Sequence, residues 1–438
     1  MAAAASVFQN LDKPDRNTLT FVMSPVSVTY ANTLRRAIQT EVSILGIRAD
    51  MTEAGTTSDV KVMKNSTPMS NEMLADRIGL LPIYMPDDVD GWEKEKVLFR
   101  LAVKNDTDEV RIVTASDFEC LEKTPTSEER VRIPNTRFFH PDPVTQETCI
   151  IAVLKPMTAG AEPEEIHLEA YATLGKGREH ARFNPTSQCS YGYTRDEDKD
   201  RITQLWETWL REQKKVDAKD LEKETDRKAE LEREFRSLEI YRCYKMADGE
   251  PYSFDFTLES VGPLSAENAV AKALTAMAVL AEKYASMDRG DLPDGVDIRP
   301  ADARLNGYDV WFSGEDHTLG NMLQTWLCDH RVGLTAEEGG IDFAGYKVPH
   351  PLRDEMLLRI GVEDTKKFSE AAARLAIAEA AKACADMFRD WAIQWVSFAG
   401  AEGVRVVGDV APKTPWEAHA SAKAPPRAAR AATRPVKR

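Results

Sequence analysis

Residues 19–45 read LTFVMSPVSVTYANTLRRAIQTEVSIL. Leu19–Met23 has the alternation of a strand. Tyr30–Leu45 predicts an amphipathic helix: Leu34, Ala37, Ile38, Val42 and Leu45 fall on one stripe, with Asn32, Arg35, Arg36 and Gln39 opposite. A short strand that leads into a helix with one apolar face needs further elements to cover that face.

Those elements follow. Strand-like alternation recurs in Val97–Val103, Ile166–Ala172, Ser253–Leu258, Tyr308–Phe312 and Glu355–Val362. Ser265 suits the N-cap of a helix to about Tyr284, with Val270, Leu274, Met277 and Ala281 on its stripe. Thr318 opens a helix in which Leu319, Met322, Leu323, Trp326 and Leu327 repeat at helical spacing. The longest helix is predicted from about Thr365 to Phe398, with Phe388, Trp391, Trp395 and Phe398 on one face and Gly400 just past its end. One pattern therefore occurs twice: strand, amphipathic helix, further strands, long closing helix. In the first copy the closing helix lies far from the opening one, so a domain is inserted between them. The expected fold is α+β, with two such units paired inside one chain through their apolar closing helices.

The chain has 438 residues, room for roughly two to four domains. Its formal charge is −15, which disfavours a general nucleic-acid surface. Six cysteines without a CxxC pair suit a reducing compartment. The N-terminal stretch lacks the pattern of a secretory signal, and no apolar run is long enough for a membrane span. An intracellular protein is expected. From Ala411 onward, Lys413, Lys423, Arg427, Arg430, Arg434, Lys437 and Arg438 face one acid, Glu417; this reads as a basic disordered tail. Asp196–Arg236 is densely charged, without Gly or Pro, and reads as one or two surface helices carrying i,i+4 acid–base pairs such as Glu207/Arg211, Glu224/Lys228 and Glu232/Arg236.

Catalytic patterns are missing: no GxxxxGK[ST], GxGxxG, GxSxG or HExxH occurs. His317 follows Glu315 and Asp316, but at a helix entry it reads as a capping-region residue. Cys120, Cys149, Cys189, Cys243, Cys328 and Cys384 are isolated, so no metal site and no cofactor is expected. Recognition remains. Arg35 and Arg36 point about 100° apart on their helix and can grip two surfaces at once. Gly345–Pro351 (GYKVPHP) is a loop stiffened by two prolines, a form suited to presenting an interface.

Two long stretches, YANTLRRAIQTEV (30–42) and KNSTPMSNEMLADRIGLLPI (64–83), resemble the third-largest subunit of eukaryotic RNA polymerase II and the archaeal D subunit. LGKGREHARFNP (174–185) and FDFTLESVGPLSAENAVAKAL (254–274) continue that likeness. GEDHTLGNMLQTWL (314–327) and IDFAGYKVPHPLRDEMLLRIGV (341–362) resemble the eleventh subunit, archaeal L. Both families are related to bacterial α and pair through α-like domains.

The resemblance implies a non-catalytic platform on which the two large polymerase subunits assemble, here as a fusion of both partners. Carried over, Asn32, Thr33, Leu34, Arg35 and Arg36 would face the large subunits. Asn65, Ser66, Glu72, Arg77, Ile78, Gly79 and Leu80 would contact the second-largest subunit. Gly177, Glu179, His180, Ala181 and Pro185 would form another part of the inserted domain. His317, Thr318, Leu319, Gly320 and Asn321, with Gly345, Tyr346, Lys347, Pro349, His350 and Pro351, would be their counterpart in the second half. Val270, Leu274, Met277, Ala281, Phe388, Trp391 and Trp395 would hold the internal pairing.

The resemblance carries departures. Where many relatives hold a cysteine-rich metal loop, this chain has YMPDDVDGWEKEKV (84–97), without cysteine. The 196–236 insertion has no counterpart, and the fusion points to a large DNA virus. The implied organisation is 1–48 with 238–285 as the first α-like dimerisation domain, 49–195 the mostly-β insertion, 196–237 a charged helical insertion, 286–306 a linker, 307–402 the second α-like domain and 403–438 the tail. Expected partners are the largest and second-largest polymerase subunits and the platform's small subunits, with DNA touched only indirectly and no membrane. The expected location is intracellular: virion and host cytoplasm or nucleus if viral, otherwise nucleus. The alternatives are a scaffold of another complex, or nucleic-acid binding through the basic tail.

Overall fold

The computed structural model describes residues 6–50, 59–85, 91–124, 129–158, 160, 162–218, 225–238, 243–301, 306–335, 339–363 and 368–401. The expected tail at 403–438 lies outside them, as do part of the cysteine-free stretch and Glu224 of one expected charge pair.

The chain opens with β1 (Phe8–Asp12) and β2 (Thr18–Met23), then α1 (Val28–Thr40) and β3 (Ser43–Gly46). A second body follows: β4 (Val60–Asn65), α2 (Asn71–Gly79), β5 (Val97–Lys104), β6 (Arg111–Thr114), β7 (Glu119–Lys123), β8 (Arg130–Ile133), β9 (Ile150–Leu154) and β10 (Glu165–Tyr171). β11 (Thr173–Lys176) and β12 (Thr186–Tyr193) lead back. Next come α3 (Lys199–Trp209), α4 (Thr225–Leu238), the two-residue strands β13 (Met246–Ala247) and β14 (Glu250–Pro251), β15 (Phe254–Ser260) and α5 (Ala266–Glu282). The last part is β16 (Val296–Pro300), β17 (Asn306–Ser313), α6 (His317–His330), β18 (Phe343–Lys347), β19 (Glu355–Val362) and α7 (Glu370–Ala399).

Three sheets organise these elements. One has the order β1-β2-β15-β12, one β4-β10-β5-β7-β8, and one β16-β17-β19-β18. Every pairing in them is antiparallel. The first and third sheets, with α1, α5, α6 and α7, enclose one continuous core that runs from Val7 to Ala401. The middle sheet has its own core, built on Phe99, Phe118, Phe138 and Phe139.

α5 and α7 pack on each other in that first core. Alanines on both (Ala269, Ala273, Ala281; Ala376, Ala380, Ala385) let the backbones approach. Val270, Leu274, Met277, Ala281, Phe388 and Trp395 are fully buried, and Trp391 nearly so. Each large apolar side chain buried this way contributes roughly 1.5–3 kcal/mol. The α7 aromatics reach the first unit: Trp395 lies 4.9 Å from Phe8 and 4.8 Å from Phe21 of the first sheet, centroid to centroid, and Trp391 lies 6.2 Å from Tyr30 of α1. Ser265 and Ser369 cap α5 and α7 through their hydroxyls, and Gly400, at φ +66°, ends α7.

Four sequence expectations change. α1 stops at Thr40, with Glu41 as C-cap; Val42 and Leu45 reach the interior from extended backbone, because Leu45 pairs with Leu174 across β3 and β11. The 286–306 linker is not a free tether: Val296–Pro300 forms β16 on the edge of the third sheet, and Arg374 grips the carbonyls of Met287 and Gly290 at 2.7 and 2.6 Å. The insertion does not run to 195, since β12 pairs with β15 in the first sheet. Phe368 and Ser369, inside the expected closing helix, are not helical, and α7 begins at Glu370; the expected start at Thr365 lies outside the described residues.

Among the described residues the charged insertion holds two helices, α3, which runs on into a π-helical turn at Leu210–Lys214, and α4. Trp209, Leu210 and Phe235 make a small separate core, with Trp206 5.1 Å from Phe235. Lys214 pairs with Glu234 across the helices at 2.5 Å. The separation from the main cores predicts local behaviour. Phe235→Ala should remove roughly 3 kcal/mol from this hairpin. Amide exchange across 199–218 and 225–238 should then rise sharply while the global melting temperature barely moves. A large drop in that temperature would show the hairpin to be part of the main cooperative unit.

Candidate functional site

The entry of α6 gathers charges from three parts of the chain. Asp316 is the N-cap: its Oδ1 accepts the Thr318 amide at 2.7 Å, where the helix's unsatisfied N–H groups favour an acid. Its Oδ2 accepts Arg36 of α1 at 3.0 Å, and Arg36 Nε donates to Thr318 Oγ1 at 2.9 Å. Arg178, on the loop after β11, lies 3.5 Å from the same Oδ2 and donates to the carbonyl of Gly314 at 2.9 Å. Its other face meets Glu41 at 2.8 Å. Lys176 also reaches Glu41, at 3.3 Å. Glu315, buried, accepts the Tyr284 hydroxyl at 2.7 Å and Lys283 at 3.3 Å.

Burial pushes the Asp316 carboxyl up, but the Thr318 amide and the guanidiniums of Arg178 and Arg36 outweigh it and hold the group below the usual aspartate value. Burial, reinforced by Glu315, pushes the Tyr284 hydroxyl up, so it stays a donor.

The residues singled out by sequence divide three ways. Thr33, Leu34, Ile78, Gly79, Thr318, Leu319 and Gly320 are buried, which makes them packing positions rather than contact points. Gly320 lies under the Tyr346 ring, where a Cβ would come 2.4 Å from Cδ2. A second group is exposed or half-exposed but already engaged. Arg35 bonds Asn32 and Gln39 on its own helix, so only Arg36 reaches across, and it reaches inside the chain. Asn65 organises its turn through Thr67 and Met69, and Ser66 bonds the Glu165 amide. Arg77 ties α2 to the carbonyls of Ile150 and Ile151. Arg48 clamps Glu179 with two bonds, at 2.5 and 2.7 Å, and holds its carboxyl below the usual range. His180 accepts the Arg182 amide at 3.1 Å.

The third group faces outward: Glu72, Leu80, His317, Lys347, Pro349, His350 and Pro351. Residues 345–347, read as loop from the sequence, are the end of strand β18, paired with β19. His317 Nδ1 lies 3.3 Å from the Tyr346 hydroxyl, which brings the α6 entry and the end of β18 onto one face. Asn321 is half-buried and bonds Thr29 of α1 at 3.4 Å. Sequence reasoning missed Arg178, Glu41 and Tyr284. Arg178 sits between two residues it did select, Gly177 and Glu179; nothing in a linear pattern shows that a loop arginine spans two distant acids. Among the described residues, no three His, Cys, Asp or Glu side chains gather where they could hold a metal, and no helix is long and apolar enough to cross a membrane.

Residues 308–392 match the RNA polymerase Rpb3/Rpb11 dimerisation domain. DNA-directed RNA polymerase subunit Rpo3 of Methanopyrus kandleri is 32% identical over 181 residues, covering 41% of this chain and 56% of the relative. Rpo3 of Pyrococcus horikoshii is 24% identical over 281 residues, 62% of this chain and 94% of the relative. DNA-directed RNA polymerase II subunit RPB11 of Schizosaccharomyces pombe is 38% identical over 96 residues, 21% of this chain and 72% of the relative. The matched region spans 56% of the length of the Methanopyrus and Methanosphaera stadtmanae Rpo3 relatives.

Proposed function

We propose, since the chain belongs to the Rpb3/Rpb11 family of RNA polymerase subunits, that it is a non-catalytic assembly platform for the two large subunits of a DNA-directed RNA polymerase. We read it as both family partners in one polypeptide: an Rpo3-like first unit carrying the inserted body, and an RPB11-like second unit. The observation that carries this reading is the shared core. α5 closes the first unit, α7 closes the second, and the two pack together with Trp395 driven into the first unit's sheet. Pairing in cis replaces the entropy cost of association with an effective concentration on the order of millimolar.

The docking surfaces we assign are Leu80 on the inserted body and, on the second unit, His317 with the end of β18 and residues 348–351. Small platform subunits are further partners, and contact with DNA is indirect. A large DNA virus is the origin we favour for such a fusion, with the protein in the virion and the host cytoplasm or nucleus. Affinity purification of the tagged full chain from cells that express it naturally tests the reading. Two large subunits bearing polymerase sequence signatures should co-purify in stoichiometric amounts. A stable complex that contains neither would overturn it.

A further inference from the structure

We infer that Arg178, on the segment by which the chain returns from the inserted body, adds a polar clamp to the pairing of the two units. The apolar contact of α5 with α7 joins only the two units themselves. Arg178 belongs to neither closing helix: it stands on the loop by which the inserted body returns, two residues beyond β11. From there one guanidinium joins Glu41 of the first unit, at 2.8 Å, to Gly314 and Asp316 of the second, at 2.9 and 3.5 Å.

The loop is built to hold it there. The Arg178 amide donates to the Thr40 carbonyl at 3.2 Å, and Gly177 allows the backbones to touch, since a Cβ there would lie 1.9 Å from the Gln39 carbonyl oxygen. Glu41 is buried, and its other ion-pair partner, Lys176, is the last residue of β11, just before that loop. A buried carboxylate is costly unless paired, so the first unit's acid draws its compensation from the return segment. That compensation reaches the second unit through Arg178. Arg36 contacts Asp316 independently, so the α6 entry is held by two arginines of different origin. Opening at the α6 entry is therefore coupled to the return segment between β11 and β12 as well as to α1.

The test uses the full-length chain alone, so its outcome is independent of polymerase assembly. Arg178→Met, Asp316→Asn and the double variant are compared by hydrogen exchange at residues 315–321 and in β10. Asparagine still caps a helix, so Asp316→Asn removes the charge and leaves the cap. Arg178→Met should speed exchange at 315–321 about fivefold, the order of one bond to the Gly314 carbonyl with an ion pair to the half-buried Asp316, and leave β10, in its separate core, unchanged. The double variant should fall well short of the product of the two single effects. Arg178→Lys, which keeps the charge but loses the fork, should lie between wild type and Met, and it serves as the readout if the Met variant does not fold. Unchanged exchange at 315–321, or single effects that multiply as independent ones, would overturn the inference.

Discussion

Trp395→Ala should destabilise the protein by about 3–5 kcal/mol, the range for deleting a buried aromatic. Trp395 is fully buried, and its indole is shared between Phe8 and Phe21 of the first sheet. Its Nε1 donates to the Glu267 carbonyl in the first turn of α5 at 2.9 Å. The ring thus belongs to α7 by sequence and to the first unit by contact, so a cavity there loosens both units at once. Urea denaturation should show one transition with a lower midpoint and an unchanged slope. Trp395→Phe, which keeps an aromatic in the site, should cost markedly less. A loss under 1 kcal/mol for the alanine variant would mean that the two units do not depend on this contact.

Gly177→Ala should cost about 3 kcal/mol, a large effect for one methyl group. The added Cβ would lie 1.9 Å from the Gln39 carbonyl oxygen and 3.0 Å from its carbon, and backbone atoms cannot swing aside as a side chain can. Loop or helix must move, and either motion pulls Arg178 away from Glu41 and Gly314. Gly192→Ala is the matched control: nothing lies within 4 Å of its added Cβ, so it should stay within about 0.5 kcal/mol of wild type. Equal stability of the two variants would show that the close approach at Gly177 is not needed.

The candidate face was partly legible in the sequence. Motif resemblance pointed to segments with local requirements that leave local marks: the close approach at Gly177, the packing of Gly320 under Tyr346 and the capped start of α6. It did not separate contact residues from packing residues. Leu34 and Leu319 stand beside polar neighbours in their motifs, yet both are fully buried. Arg35 and Arg36 look equivalent in sequence; one folds back along its own helix and the other crosses to Asp316. Such choices depend on what a neighbouring segment offers within about 3 Å, and those segments are hundreds of residues away.

What the sequence determined by itself is periodic and local. Two-residue alternation marked β2, β5, β10, β15, β17 and β19, helical spacing marked α5, α6 and α7, Ser265 placed the start of α5 and Gly400 the end of α7. These follow from backbone geometry and solvent exclusion, which act within one element. Only the tertiary structure decided the rest. It drew Val42 and Leu45 out of the helix, turned residues 296–300 from linker into sheet edge, returned β12 to the first sheet, and set Arg178 between two acids. The physical reason is common to all four: an edge strand's hydrogen bonds and a buried charge are satisfied by whichever partner the packed chain brings close, and that partner is not encoded in the spacing of the residue's own neighbours.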